Sequence, residues 1–476
     1  MTRKTRACRT RARNGVATAR AANSARLGII PPPLRDRLGF GQSTGRLGSL
    51  TQVYLLAVNR VQVQNPRVDA VTNPYTPNAG ATPEALIGRD ELLDSFDILL
   101  RRLERGRAEQ SMILTGLRGV GKTVLLGEFA RLALAAKWEV VELEAMKHDD
   151  KRFRQVLFSQ LRSALLRISP RARWNDRARR AAGVLSSFGL TASTDGSVAV
   201  TWDIEPLEGA GDHGELALDL TDVLVSLGEL AADHGHGFVL LVDEVQFLGE
   251  RQLEAVIQAI HRTVQLRLPI TFVGAGLPQI AELAGDAKSY AERLFRFPEV
   301  GSLERSEADL AFSSPALAEG VGWEADALDA AYALTQGYPY FIQELGYQVW
   351  SVAQASPITA ADVAVAREAY ESKLDGSFFR VRLDRTTPLQ TAYLRAMAEL
   401  GPEPQKASEV AKLMGRESTQ LGPTRAELID MGLLFTPVHG YAAFTVPDFD
   451  RFMLRAVPEL VVPPPRHRKK DSPSDE

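Results

Sequence analysis

The sequence has very little cysteine and no long apolar run. Cys8 is the single cysteine among 476 residues, which excludes an intramolecular disulfide and a metal site built from several thiolates. No stretch of 18 or more apolar residues occurs, so a membrane-spanning helix and a membrane partner are not expected. The Arg-rich start lacks the apolar segment of a secretory signal. These absences predict a cytoplasmic protein.

The charge is unevenly distributed. The whole chain has a net charge of −3, but residues 1–60 carry twelve Lys/Arg and only Asp36 as an acid, a net of +11, which leaves −14 for the rest. Residues 1–72 are rich in Arg, Gly, Ser and Pro and show no periodicity, so we predict a disordered basic extension. Two explanations remain open for it, a mis-assigned translation start and a basic tail that binds nucleic acid.

Alternating strands and helices begin after residue 73. Four apolar runs read as buried strands: SMILTG at 111–116, WEVVELEA at 138–145, FVLLVDE at 238–244 and ITFVGAG at 270–276. An insertion with a predicted hairpin at Asp195-Gly196 interrupts the pattern. Strands without polar alternation, separated by helices, favour an α/β fold with a parallel sheet covered by helices on both faces.

A phosphate-binding loop follows the first of these strands. GLRGVGKT at 116–123 matches G-x-x-x-x-G-K-[ST], in which glycines let backbone N–H groups surround phosphate and the lysine reaches the β- and γ-phosphates. The helix that begins here adds its N-terminal dipole. The predicted nucleotide-binding residues of this loop are Gly116, Gly119, Val120, Gly121, Lys122 and Thr123.

Two acids end the strand FVLLVDE. Carboxylates at this place are costly unless a positive group lies opposite them. We expect Asp243 and the Thr123 hydroxyl to hold Mg²⁺, and Glu244 to orient and deprotonate the attacking water. Together with Lys122, this arrangement predicts hydrolysis of ATP with Mg²⁺. A transferase or kinase is disfavoured because no acceptor site is visible.

These motifs resemble the AAA/STAND-type P-loop ATPases, particularly bacterial and archaeal members with an origin-recognition-like AAA core and a C-terminal winged helix. IGRDELL at 87–93 resembles the box that lines the adenine pocket in this group, which implies nucleotide contacts for Gly88 and Arg89. QGYPYFIQELG at 336–346 resembles the Gly-x-Pro motif of the helical lid, and the resemblance implies that Pro339 packs near the base.

Two further segments are compared with this group. SYAERLFRF at 289–297 offers Arg293 and Arg296 where an arginine finger is expected, and we prefer Arg293 as the catalytic residue; a surface salt bridge is the alternative for it. Many relatives carry Ser, Thr or Asn at the end of the sensor strand, whereas this chain has Gly274-Ala275-Gly276. The resemblance therefore does not imply a side-chain sensor of the γ-phosphate on this strand.

The last third of the chain is predicted to be helical and then to form a winged helix. Helices are expected at 388–400, 407–414 and 419–431, the last with a late start near Pro423, and LLFTPV and YAAFTVP follow as a hairpin. The predicted division is a P-loop AAA-type core at 73–304, a helical lid at 305–377, a winged helix-turn-helix at 378–457 and a disordered tail at 458–476.

The target of the winged helix stays open at this point. A DNA-associated switch would use Gln420, Thr424 and Arg425 of the third helix on double-stranded DNA. Residues 380–455, however, contain ten Lys/Arg and nine Asp/Glu, a small surplus for phosphate binding. The alternative is a STAND-like signalling ATPase whose winged helix packs on the core or binds a protein partner, including a second copy of the chain.

Overall fold

A computed structural model describes residues 68–78, 80–146, 149–170, 174–191 and 204–464. The predicted basic extension, the hairpin around Asp195 and most of the predicted tail lie outside these ranges. None of the helices within them is both long and apolar enough to cross a bilayer.

A five-stranded parallel sheet forms the first part of the fold. Its strands are β1 Ser111–Thr115, β2 Glu139–Glu144, β3 Phe238–Asp243, β4 Ile270–Gly276 and β5 Phe295–Arg296. Their order across the sheet is β2-β3-β4-β1-β5, and every neighbouring pair is parallel. The four strands predicted from apolar runs are confirmed. The sequence did not reveal β5, because two residues are too few to form a pattern.

Helices cover both faces of this sheet. They are α1 Asp90–Glu104, α2 Lys122–Ala135, α3 Asp150–Ile168, α4 Asp176–Thr191, α5 Leu216–Asp233, α6 Glu250–Gln265, α7 Ile280–Ala287 and α8 Ala291–Leu294. Successive strand residues point to opposite faces. Met112 and Leu114 of β1 accordingly pack into the apolar cluster with α1 and α2, while Ile113 packs into the cluster with α3, α5 and α6. Burial of both faces explains the unbroken apolar strands.

Four helices and a short π-helical segment follow the sheet. They are α9 Arg305–Ala318, α10 Ala325–Thr335, α11 Pro339–Val352, α12 Ala360–Lys373 and the π-helical segment Leu374–Phe379. Helix α11 starts with proline, which lacks the N–H that would be unpaired there. This agrees with the helical region predicted from residue 305.

The C-terminal part, here called the C-terminal module, combines short helices with a small sheet. It contains α13 Arg380–Leu383, α14 Pro388–Leu400, β6 Gln405–Lys406, α15 Ala407–Leu413, α16 Ser418–Asp430, β7 Leu434–Phe435, β8 Tyr441–Phe444 and α17 Phe449–Ala456. The strand order is β6-β8-β7, with both pairs antiparallel. Three helices followed by a hairpin give the element order that the sequence predicted.

Two expectations for α16 were wrong. The helix spans Ser418–Asp430, within a residue of the predicted 419–431, but it does not start late near Pro423, which lies in its interior. Glu417 N donates to Gln420 Oε1 at 3.2 Å, which supports the earlier start. Thr424, expected on the exposed face, is buried, whereas Gln420 is exposed and Arg425 is half-buried.

The segment just before α1 is fastened to the lid helices. The Tyr75 side chain is buried against Gly346 of α11, where a Cβ would lie 2.5 Å from the ring. Tyr75 Oη donates to the carbonyl of Phe312 at 2.5 Å, and Trp323 Nε1 donates to Tyr75 Oη at 3.1 Å. Thr76 N donates to Gln343 Oε1 at 2.9 Å. This strap, residues 69–77, is therefore packed on α11.

Candidate functional site

The carboxyl edge of the sheet brings the two sequence motifs together. The phosphate-binding loop follows β1, the acidic pair lies at the end of β3, and β4 runs between these strands. Gly116 N donates to the carbonyl of Gly276 at 3.1 Å, which ties the loop to the end of β4. β4 ends in Gly-Ala-Gly, and Gly276 gives room to the segment after β3, because a Cβ there would lie 2.8 Å from Gln246 Oε1.

The loop has the backbone shape that its glycines permit. Gly119 and Gly121 have φ of +87° and +94°, in the left-handed region that other residues rarely adopt. Gly121 is the residue immediately before α2, so the turn aims the helix start at the cavity. Gly116 is excluded from carrying a side chain for another reason, since a Cβ there would overlap the carbonyl oxygen of Val300.

Lys122 is buried at the start of α2. Its Nζ donates to the carbonyls of Gly116 and Leu117 at 2.9 and 2.8 Å. Burial lowers the pKa of Lys122 to about 8, although Glu244 and Asp243 act in the opposite direction. The ammonium group is therefore poorly compensated, and an anion at the loop would stabilise its charged form.

Thr123 and Asp243 place two oxygen ligands side by side. The Thr123 hydroxyl donates to Asp243 Oδ2 at 2.5 Å. Hydroxyl and carboxylate oxygens suit Mg²⁺, which in phosphate sites takes one or two protein groups and completes its shell with phosphate and water. The residues present fit this ion, as the sequence predicted for these two positions.

Glu244 is held in an unusual backbone conformation. Its φ of +53° lies in the left-handed region, which is uncommon outside glycine. The backbone N–H of Glu244 donates to Asp243 Oδ1 at 2.8 Å, and its carboxylate accepts from Gln246 Nε2. Gln246 Oε1 in turn accepts from Leu277 N at 3.1 Å. Gln246 thus links the acidic pair to the residue after β4.

Arg89 connects three segments behind the phosphate-binding loop. Its guanidinium donates to the carbonyls of Gly301, Val120 and Gly88, at 2.7, 3.3 and 3.2 Å. Burial lowers the pKa of Arg89, with Glu307 opposing the shift. Gly88 has φ +71°, and a Cβ there would lie 2.7 Å from the Glu307 carboxyl carbon. Both predicted residues therefore have structural roles at this junction as well.

The lid contacts the loop directly. Tyr338 Oη donates to the carbonyl of Arg118, and Tyr340 N donates to the carbonyl of Gly119 at 3.1 Å. Between them, Pro339 begins α11 and lines the cavity. Gly337 allows this approach because a Cβ there would overlap the Leu303 carbonyl oxygen.

The C-terminal module also reaches the loop. Arg118 N donates to the carbonyl of Thr445 at 3.2 Å. The Arg118 guanidinium lies against Gly432, which has φ +68° and no room for a Cβ beside it, and it is 3.9 Å from Glu244 Oε1. Arg382 packs its guanidinium 4.1 Å from the Phe378 ring centre, and burial lowers its pKa.

These elements enclose one cavity of about 660 Å³. The predicted residues that line it are Arg89, Gly119, Val120, Gly121, Lys122, Thr123, Asp243, Glu244 and Pro339. Gly88 and Gly116 lie next to it without lining it. Among the described residues, five basic side chains and two acidic ones line the wall, so the cavity has a positive surplus that suits a polyphosphate. The basic residues are Arg89, Arg118, Lys122, Arg382 and Arg385.

Arg293, predicted as a catalytic arginine, does not line this cavity. It is exposed in α8, two residues before Phe295 of β5, which pairs with Ser111 at the amino end of β1. Its carbonyl accepts a hydrogen bond from Gln110 Nε2 at 2.9 Å. The phosphate-binding loop follows the other end of β1, so Arg293 lies away from the loop of its own chain in this structure.

Sequence reasoning assigned no role to Arg118, Gln246, Tyr338 or Arg382. Arg118 stands inside the loop motif at a position that accepts any residue, and Gln246 lies two residues beyond the acidic pair. Proximity to a motif was a usable signal for these two. Arg382 had none, because it lies 260 residues from Lys122 in the chain.

Two protein-family models match parts of this chain. The model described as AAA ATPase domain matches residues 85–273. A second model, described as a domain of unknown function (DUF8462), matches residues 376–453, which covers most of the C-terminal module. No curated protein matches the chain.

Solved structures resemble it over most of its length. A Walker-type ATPase of Pyrococcus abyssi is 18% identical with a TM-score of 0.50, covering 78% of this chain and 97% of that one. The ORC1 protein of Aeropyrum pernix, solved with DNA, is 15% identical with a TM-score of 0.39 and covers 79% and 94%. Cdc6p of Pyrobaculum aerophilum is 14% identical with a TM-score of 0.40 and covers 82% and 98%.

At these identities the likenesses concern the fold alone, and a TM-score of about 0.4 supports no statement about function. The P-loop fold seen in the sheet agrees with the family match. Residues 85–273 are therefore similar to an AAA ATPase domain, and the sheet that they contribute to has the fold of a P-loop NTPase.

Proposed function

We propose that this protein binds ATP with Mg²⁺, hydrolyses it to ADP and phosphate, and uses the nucleotide as a switch. The observation that supports this most is the positively charged cavity, in which Lys122, the Thr123–Asp243 pair and Glu244 converge. Bound Mg²⁺ would neutralise charge on the phosphates. Lys122 would exchange its carbonyl partners for phosphate oxygens, and Glu244 would take a proton from water.

The proposal that the nucleotide acts as a switch rests on the elements that contact the phosphate-binding loop. Tyr338 and Tyr340 of the lid and Thr445 of the C-terminal module all bond to the backbone of Arg118 or Gly119. A nucleotide that reorganises the loop therefore changes contacts with both. This supports the version in which the C-terminal module packs on the ATPase core.

The experiment separates binding from hydrolysis. Glu244→Gln should keep ATP affinity and lose phosphate release, since the amide cannot accept the proton from water. Glu250→Gln, an exposed glutamate six residues on, is the matched control and should hydrolyse ATP normally. Undiminished turnover in Glu244→Gln would reject the assigned role, and absence of ATP binding by the parent chain would reject the function.

Association with duplex DNA is the second candidate. Ser418, Thr419 and Gln420 are exposed at the start of α16, and Lys406 and Lys412 are exposed beside it. The supply of free basic groups is small, because Arg395 and Arg455 are engaged by Glu399 and Asp375. We therefore propose weak, salt-sensitive binding. Gel shifts at low salt test it, and no shift at micromolar protein, with or without ATP, would reject it.

A further inference from the structure

Arg118 of the phosphate-binding loop contacts the lid, the C-terminal module and Glu244. The carbonyl of Arg118 accepts from Tyr338 of the lid, and its N–H donates to Thr445 of the C-terminal module. Its guanidinium lies between Gly432 and Glu244. Its Nε is buried and makes no hydrogen bond within the part of the chain that the structure describes. The side chain is therefore held by packing and charge, not by a closed set of hydrogen bonds.

The position of this guanidinium depends on the C-terminal module. The turn between α16 and β7 contains Gly432, whose missing side chain leaves the space that Arg118 NH2 occupies. The neighbours Met431 and Leu433 line the nucleotide cavity, whereas Gly432 itself does not. When the module is docked, Arg118 is thus confined to the side of the cavity where Glu244 lies.

This confinement acts on the group assigned to activate water. Glu244 has one carboxylate oxygen accepting from Gln246 and the other 3.9 Å from Arg118 Nη2. A general base needs an oxygen within hydrogen-bond reach of the proton that it abstracts. One oxygen is already engaged by the Gln246 amide, and the charge of Arg118 attracts the other towards the guanidinium, which restrains the orientation of the carboxylate.

We propose that Arg118 is a positioning residue through which the docked C-terminal module restrains Glu244, so that ATP turnover rises when the module releases the loop. This inference rests on the proposed hydrolytic role of Glu244. It deepens that role by naming a residue of the loop and a turn of the C-terminal module as its regulator.

The test uses Gly432→Ala in the full chain. The new methyl group must displace the Arg118 guanidinium, and kcat for ATP should rise by about 1.5-fold to fivefold, the range expected for loss of one partly exposed ion pair. The measurement is made at saturating ATP, because Arg118 lines the cavity and its displacement also affects the Kd for ATP. Gly440→Ala is the matched control: Gly440 has a similar φ of +85° in the same module and nothing near its Cβ position, so kcat should stay at the parent value.

A second variant tests the same contact without changing Gly432, so the outcome does not depend on whether Gly432→Ala folds. Arg118→Gln should also raise kcat at saturating ATP, and adding Gly432→Ala to it should give no further rise, since the two changes break one contact. Adding Glu244→Gln to either should abolish the gain. A kcat of Gly432→Ala equal to that of Gly440→Ala, or a full further rise in the Arg118→Gln background, would overturn the inference.

Failure of the proposed function has a different signature. If the parent chain does not bind ATP with Mg²⁺, the function and the inference fall together. If it binds and hydrolyses ATP but neither Gly432→Ala nor Arg118→Gln changes turnover, the function stands and only the restraint by Arg118 is rejected.

Discussion

The sheet edge supplies its chemical groups from two short segments, residues 116–123 and 243–244, whereas the opposite wall of the cavity draws on residues between 339 and 433. The first region has little freedom in sequence because phosphate and Mg²⁺ impose fixed residue types. The second region contributes the start of α11, Arg382 of α13 and Arg385 of the turn that follows α13. The side chains at the sheet edge therefore come from short segments of the chain, whereas enclosure of the cavity depends on the whole fold.

The strongest test of this comparison is Lys122→Ala. Removing the only lysine of the loop should lower ATP affinity by about 100-fold, since charge-assisted hydrogen bonds to phosphate are lost. Isothermal titration with Mg-ATP measures it. Lys412→Ala, an exposed lysine of the C-terminal module, is the control with the same charge change. Equal affinity in the two variants would mean that the sheet edge does not bind the phosphates.

A smaller effect is expected from Asp243→Asn. Loss of the carboxylate next to Thr123 should raise the Mg²⁺ concentration needed for half-maximal hydrolysis by about tenfold. Asp94→Asn, an exposed residue of α1, should leave the Mg²⁺ dependence unchanged. Turnover at fixed ATP against Mg²⁺ concentration measures both, and an unaltered curve for Asp243→Asn would remove it from the metal site.

The pH dependence of ATP affinity tests the role of Lys122 at the sheet edge. Lys122 has a pKa of about 8 without nucleotide, and phosphate must raise it. ATP affinity should therefore fall as pH rises through 8, by at most about tenfold per pH unit. Titrations in buffers of different ionisation enthalpy should show proton uptake on binding above pH 8. A flat affinity from pH 7 to 9.5 would contradict the assignment of Lys122.

The opposite wall gives the smallest effect. Tyr338→Phe removes the hydroxyl that donates to the Arg118 carbonyl and should lower the free energy of unfolding by about 1 kcal/mol. Tyr347→Phe changes an exposed tyrosine of the same helix and should have no effect. Urea unfolding compares them. Equal stability would show that the lid contact is not a stabilising part of the wall.

Much of the fold could be predicted from periodicity. The four longer strands were visible because each is buried on both faces, and α14 and α15 were predicted to within a residue. The late start of α16 near Pro423 was wrong, because the proline was given more weight than the capping interaction between Glu417 N and Gln420. The helix that contains this proline packs through Leu421 and Leu428, both of which are buried.

Site residues could be predicted from the sequence only where a chemical requirement fixes the residue type. Lys122, Thr123, Asp243 and Glu244 were found in this way and line one cavity. Arg293 was chosen by resemblance and lies at the far end of β1, since a position along the chain does not specify which sheet edge it occupies. Arg118 and Gly432 interact across 314 residues, and no local pattern encodes such a contact.

The attachment of Tyr75 has a mechanical consequence. Residues 76 and 77 line the cavity, yet their strap is fixed to α11 and not to the sheet. If α11 shifts relative to the phosphate-binding loop, residues 76 and 77 must move together with it. Pro339 and Tyr340 of α11 line the same cavity, so a movement of α11 would change the shape of the cavity on two sides together.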